Sequence, residues 1–146
     1  MAEQKVKRRL AAILAADIAG YSRLMGEDDV STVRDLKGHQ AAVLPLIAEF
    51  GGRIIDTAGD GILAEFPSAV GAVECATKLQ MVMVARNQDK PENRRMQFRV
   101  GINLAEWVRR IKPLRVLLVP IEDERLTDVA LIDQVLHVAH RRCITK

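Results

Sequence analysis

Apolar positions fall into separate blocks along the chain, and the period of each block predicts an element. Leu10–Ile18, "LAAILAADI", is an apolar run interrupted at Asp17 and followed by Gly20. A short apolar run closed by a turn signal suits a buried strand. Further on, Val43, Leu46, Ile47 and Phe50 recur at helical spacing, and Asp28 or Asp29 can accept the free N–H groups of a first turn. The spacing predicts one helix over about residues 28–50, ended by Gly51-Gly52 and kinked or divided at Pro45. Two short apolar runs, Arg53–Asp56 and Ile62–Phe66, flank the turn residues of "DTAGDG" and read as a β-hairpin. Ser68 can cap a second helix, with Ala69, Ala72, Val73, Ala76, Leu79 and Met83 on one face. After the charged loop "RNQDKPENRR", Phe98, Val100, Ile102 and Leu104 alternate as in a half-buried strand. Strand, helix, hairpin, helix, strand is the order of a split βαβ unit. The expected fold is therefore α+β and ferredoxin-like, with helices on one face of the sheet. Beyond Leu104 the pattern predicts one more strand, Leu114–Val119, and an amphipathic helix over the remaining residues.

Composition narrows the class. The chain has 146 residues, enough for one domain with its own core, and 49% apolar with 28% charged residues is ordinary for a soluble protein. Aromatics are only 3%, so the core must be mainly aliphatic. A formal charge of +3 is too small to argue for nucleic acid, and the basic cluster Lys5–Arg9 has no interleaved aromatic residues and reads as a solvated terminus. Cys75 and Cys143 make no disulfide framework, which points to a reducing compartment, the cytoplasm. No apolar run is long enough to span a bilayer. Leu10–Ala16 follows basic residues much as in a signal peptide, but it stops at Asp17 and suits a buried strand better.

The hairpin turn carries a question of chemistry. Asp60 stands between Gly59 and Gly61 at the tip of two strands that want to be buried. Asp is a good turn residue on its own account. Asp17, at the end of the first strand, supplies a second carboxylate that a split βαβ sheet can bring to the same edge. Two adjacent carboxylates repel unless a cation lies between them, and Mg²⁺ prefers one or two carboxylates together with phosphate oxygens and water. Other candidates are weaker. His137, His140 and Cys143 would share one side of the final helix, but a closed structural site wants four ligands, so they read as ordinary helix-face residues. His39 reads as a surface or interfacial residue and Trp107 as a packing anchor. The chain contains neither a phosphate-binding Gly-rich loop nor a Ser-His-Asp signature.

Three stretches, "AAILAADIAGYSRLM", "GGRIIDTAGDGILAEFPSAVGAVECA" and "FRVGINL", occur in an order that resembles the class III nucleotide cyclases, the adenylate and guanylate cyclase catalytic domains of the bacterial branch. The resemblance covers about residues 8–104. It implies a signalling enzyme that forms a 3′,5′-cyclic nucleotide and pyrophosphate from ATP or GTP, cyclic AMP being favoured over cyclic GMP. It implies two ions, Mg²⁺ or Mn²⁺, held by Asp17, Asp60 and the carbonyl of Ile18, with Ala19, Gly20, Tyr21 and Ser22 near the triphosphate. Tyr21-Ser22 replaces the family's usual Phe-Thr and keeps a ring and a hydroxyl. Asp56 stands where adenylate cyclases of the family commonly carry a base-reading Lys. Lys only donates hydrogen bonds and an ionised Asp only accepts them, so Asp56 could face an adenine amino group or guanine N–H groups, or simply flank the turn. The family site lies between two protomers, which implies a homodimer or pairing with an intact cyclase.

The resemblance stops after "RVGIN". The glycine-acidic segment and the Asn-Val-Ala-Ala-Arg-like helix of the family do not follow, although "WVRRIKPLRVLLVP" resembles the strand that closes many such domains. Arg141 and Arg142 have no preceding Asn and are not assigned the missing role. The expectation is an internal deletion near Leu104–Ala105, with a frameshift or unrelated tail as the alternative. The class III nucleotide cyclase fold would then be truncated or internally deleted. Residues 1–104 would be the N-terminal part of the cyclase domain, 105–119 a closing strand and 120–146 a helical tail without assigned role. The rival function is a catalytically inactive remnant that binds nucleotide or pairs with an intact cyclase.

Overall fold

The computed structural model of the chain describes residues 10–106 and 116–119. The expectations for Lys5–Arg9, Trp107, Leu114, the final helix and its His137, His140 and Cys143 lie outside the described residues. The apolar run Leu10–Ile18 is strand β1, the middle of a five-stranded sheet. Around it lie β2 (Arg53–Asp56), β3 (Ile62–Phe66), β4 (Phe98–Glu106) and β5 (Val116–Val119), in the spatial order β2-β3-β1-β4-β5. Every pairing is antiparallel. On one side β1 pairs with β3 from Ala12↔Phe66 to Ala16↔Ile62, and on the other with β4 from Leu10↔Glu106 to Ile18↔Phe98.

The period-two rule sorts β1 into two faces. Ala12, Leu14, Ala16 and Ile18 join Ile62, Ala64, Phe66, Phe98, Val100 and Ile102 in the core. Helices α2 (Asp29–Glu49) and α3 (Ala69–Asn87) cover that face, through Leu36, Val43, Leu46 and Ile47 from α2 and Ala72, Cys75, Ala76, Leu79 and Met83 from α3. Asp17 belongs to the opposite face, which it shares with Ala11, Ile13 and Ala15. This is the expected split βαβ sheet with helices on one side. The few aromatics are used where volume matters: Phe66 and Phe98 are the largest fully buried side chains. Burial also pushes the Cys75 thiol up to about 11, with Glu49 adding to the effect, so this cysteine is no nucleophile at neutral pH.

Three local expectations need correction. Residues 21–27 form a helix of their own, α1 (Tyr21–Glu27), which the sequence pattern did not single out. Pro45 does not divide α2, which runs from Asp29 to Glu49 without a break. Pro45 and Ala41 both face solvent, so the carbonyl that loses its helical N–H partner is open to water. His39 is buried, only 1% exposed, rather than on the surface. The caps conform to expectation. Asp28 Oδ1 accepts from Ser31 N–H at 3.0 Å, and Ser68 accepts from Gly71 N–H at 3.4 Å. At the end of α2, Gly51 takes a φ of 82°, Gly52 N–H donates to Ile47 O and Gly51 N–H to Ala48 O, the Schellman pattern.

Gly52 has a second duty. A Cβ there would lie 2.5 Å from the ring of Phe66, which is fully buried and cannot yield. Gly52→Ala is therefore expected to cost about 1–3 kcal/mol through overpacking, read as a lower urea midpoint at unchanged slope.

His39 sits between α2 and α3 and accepts a hydrogen bond at Nδ1 from Arg86 Nε at 2.9 Å. Its Nε2 is buried without a partner among the described residues, and the ion pair between Asp35 of α2 and Lys90 of the loop after α3, 2.8 Å long, lies nearby. Burial, with Arg86 and then Lys90, lowers the His39 pKa to about 4 from 6.5, while Asp35 works weakly the other way. Between those pH values the unfolded chain binds a proton that the folded chain rejects. Stability should thus be full above pH 6.5 and fall on acidification towards pH 4, by on the order of 2–3 kcal/mol. Melting curves over this range should show a steeper loss for the parent than for His39→Gln, which does not titrate.

The strand expected to end at Leu104 extends further. β4 runs on to Glu106, past the junction placed at Leu104–Ala105. β5 pairs with β4 from Val100↔Val119 to Asn103↔Val116.

Candidate functional site

The β2–β3 turn is fixed at several points. Gly59 takes a φ of 63°, which only a residue without Cβ adopts freely. Gly61 N–H donates to Ala58 O at 3.1 Å, and Ala58 N–H donates to Asp56 Oδ1 at 3.1 Å. Gln40 of α2 reaches over to donate to Gly59 O at 3.3 Å. The turn so held presents Asp60 to the end of β1. The β1–β3 pairing finishes at Ala16↔Ile62, and there Asp60 Oδ2 accepts from Ile18 N–H at 3.1 Å. That N–H belongs to the peptide joining Asp17 to Ile18. Asp60 thus reaches the peptide unit that Asp17 begins.

Asp17 is engaged by its neighbour across the sheet. It lies opposite Arg99 in register, and Arg99 donates from Nε to Oδ1 at 2.7 Å and from Nη2 to Oδ2 at 2.9 Å. Both side chains are partly buried. Sequence reasoning missed Arg99 and Gln40. The alternation of β4 placed Arg99 off the core, but which residue of β1 it would face depends on a register between distant strands that the sequence does not state.

Asp56 is redirected by a bulge. Ile54 pairs with Ala64 but Asp56 pairs with Leu63, so one residue of β2 is extra. Opposed residues point to the same face, and Leu63 is also opposite Ala15. The bulge therefore moves Asp56 from the core face to the face that carries Asp17. The segment after β1 is tied down by Ala19 N–H donating to Gln97 O at 2.8 Å. Gly20 follows with a φ of 66° and caps α1, in which Tyr21 packs partly against the core and Ser22 is exposed.

Chemically this is a pair of hard oxygen donors at one sheet edge. Among the described residues no group of three or more His, Cys, Asp or Glu side chains could hold an ion unaided. Two carboxylates fit Mg²⁺ or Mn²⁺ when phosphate oxygens and water complete the shell.

No family model matches the chain. Over 107 residues, 73% of the chain, it is 52% identical to "Putative adenylate cyclase 3" of Rhizobium meliloti, of which it covers 18%. Among solved structures, an adenylate/guanylate cyclase/hydrolase from Silicibacter pomeroyi superposes with a TM-score of 0.62 at 44% identity, over 68% of this chain and 59% of that one. The guanylyl cyclase Cya2 superposes with a TM-score of 0.61 at 22% identity, over 90% of this chain and 70% of that one, a likeness of fold alone. The chain thus spans about a fifth of the length of the curated relative. The antiparallel split βαβ sheet with helices on one face matches the fold of these cyclase structures. The chain belongs to the class III adenylate/guanylate cyclase family and carries part of its catalytic domain. Among the described residues no helix is long and apolar enough to cross a membrane.

Proposed function

We propose that this chain is the metal-holding half of a nucleotide cyclase site, acting in the formation of a 3′,5′-cyclic nucleotide and pyrophosphate from a nucleoside triphosphate. The observation that carries the proposal is the Asp60 carboxylate seated on the Ile18 N–H, beside Asp17. Asp17 and Asp60 would hold two Mg²⁺ or Mn²⁺ ions, with the Ile18 carbonyl as a further donor. Bound there, the ions supply acidity to the ribose 3′-hydroxyl and offset charge on the α-phosphate. The chain's own part is to fix the two carboxylates: the Gly59 turn and Gln40 hold Asp60, and the β1–β4 register holds Asp17.

Ala19, Gly20, Tyr21 and Ser22 would lie along the triphosphate, as the tethered loop after β1 allows. Asp56, turned to the same face by the bulge, is the candidate for reading the base. ATP is the favoured substrate over GTP. A second copy or an intact cyclase would supply the other half of the site, and the setting would be cytoplasmic. In this reading residues 1–104 are the N-terminal part of the cyclase domain, 105–119 close its sheet and 120–146 form a tail without assigned role.

The test is calorimetric titration of the chain with α,β-methylene ATP and its guanine counterpart, with and without Mn²⁺. Binding that requires Mn²⁺ and disappears in Asp17→Ala supports the proposal. Equal binding without the ion, or by Asp17→Ala, overturns it.

A further inference from the structure

Asp60 and Asp17 are neutralised unequally. Asp60 Oδ2 accepts from a neutral backbone N–H, whereas both oxygens of Asp17 are taken by one guanidinium, at 2.7 and 2.9 Å. The contact is built into the fold, because Asp17 and Arg99 are directly opposed in the β1–β4 register. It is also partly shielded, with side-chain exposures of 25% for Arg99 and 16% for Asp17. Side-on, two-point pairs of this kind are among the stronger hydrogen-bonded ion pairs. They also direct the carboxylate lone pairs that a cation would need into the guanidinium.

We propose that Arg99 is an exchangeable counter-cation for Asp17, one that a divalent ion must displace in order to bind. The proposal rests on the reading of Asp17 and Asp60 as metal ligands. Arg99 is then a positioning residue that sets metal affinity. Without an ion it keeps the two carboxylates from repelling each other and holds Asp17 in place. With an ion it is released from Asp17.

The experiment measures Mn²⁺ affinity of the full chain by electron paramagnetic resonance, without nucleotide. Arg99→Gln is expected to bind Mn²⁺ about 10-fold more tightly than the parent, since a charged hydrogen-bonded pair no longer competes. Arg99→Lys, which keeps the charge but loses the fork, should fall between. Arg53→Gln is the control: Arg53 pairs with Glu65 at 3.1 Å and is 70% exposed, so removing it lowers charge on the sheet without touching Asp17. A rise confined to the Arg99 variants supports the proposal. Equal affinity of parent and Arg99→Gln, or an equal rise in Arg53→Gln, overturns it and leaves the metal reading standing. Absence of Mn²⁺ binding in parent and variants alike overturns both. Should Arg99→Gln not fold, the parent itself decides, through the NMR signal of the Arg99 Nε–H. A shift on Mg²⁺ saturation supports displacement, and an unmoved signal refutes it.

Discussion

Asp60→Asn should fold like the parent and lose Mn²⁺-dependent triphosphate binding by about 100-fold or more. The two halves of that expectation come from different atoms of one side chain. Asn keeps an oxygen that can accept from Ile18 N–H, so the bond that joins the hairpin turn to β1 can survive. The turn itself does not depend on the Asp60 charge, because Gly59, the Gly61–Ala58 bond and Gln40 hold it. Asn cannot supply the negative charge that a divalent ion needs. Removing even a residue that only orients a metal ligand typically costs 10–100-fold in affinity, so loss of a ligand should cost at least as much. Calorimetry with α,β-methylene ATP and Mn²⁺, beside a urea melt of the same sample, separates the two effects. A variant that melts like the parent and binds like it would remove Asp60 from the site. A variant that binds poorly only because it has unfolded would show a lowered midpoint.

The parts of this fold that could be read in the sequence are those set by local periodicity. The alternation of Phe98, Val100 and Ile102 and the glycine-bounded hairpin gave their strands, and the residues of those strands are the ones in the core. What local pattern could not show was geometry set by distant partners. Pro45 is tolerated because its neighbourhood in the folded molecule faces water, and exposure is not written in a helical repeat. His39 is buried and takes its hydrogen bond from Arg86, on a helix many residues away. The short helix after Gly20 escaped notice because its only buried residue is Leu24, too little for a periodic signal. At the site, turn chemistry marked Asp60 and strand ending marked Asp17, but the reach of Asp60 to the Ile18 N–H depends on β3 pairing beside β1. The bulge that turns Asp56 onto their face is a register event, and nothing in Arg53–Asp56 announces it.

The chain alone should make no measurable cyclic AMP or cyclic GMP with either Mg²⁺ or Mn²⁺, while still binding the triphosphate. The binding expectation follows from the groups present: Asp17, Asp60 and the tethered Ala19–Ser22 segment are all in place. The catalytic expectation follows from the sequence after Leu104. The Asn and Arg that the family resemblance would place against the ribose and the reacting phosphate have no counterpart there. Such groups act where charge develops in the transition state, and loss of one positioned donor typically costs about 10²–10³ in rate. With two missing, turnover should fall to the background of uncatalysed cyclisation, whatever the affinity for substrate. The contrast between intact binding and absent turnover is what separates this outcome from simple misfolding. Cyclic product is quantified by mass spectrometry after incubating the chain with ATP or GTP, and then again after mixing it with an intact cyclase whose own metal carboxylates have been replaced by Ala. Product in the mixture and none from either component would show that this chain gives the metal half of a shared site. Turnover by the chain alone that vanishes in Asp17→Ala would show that its own residues already complete the site.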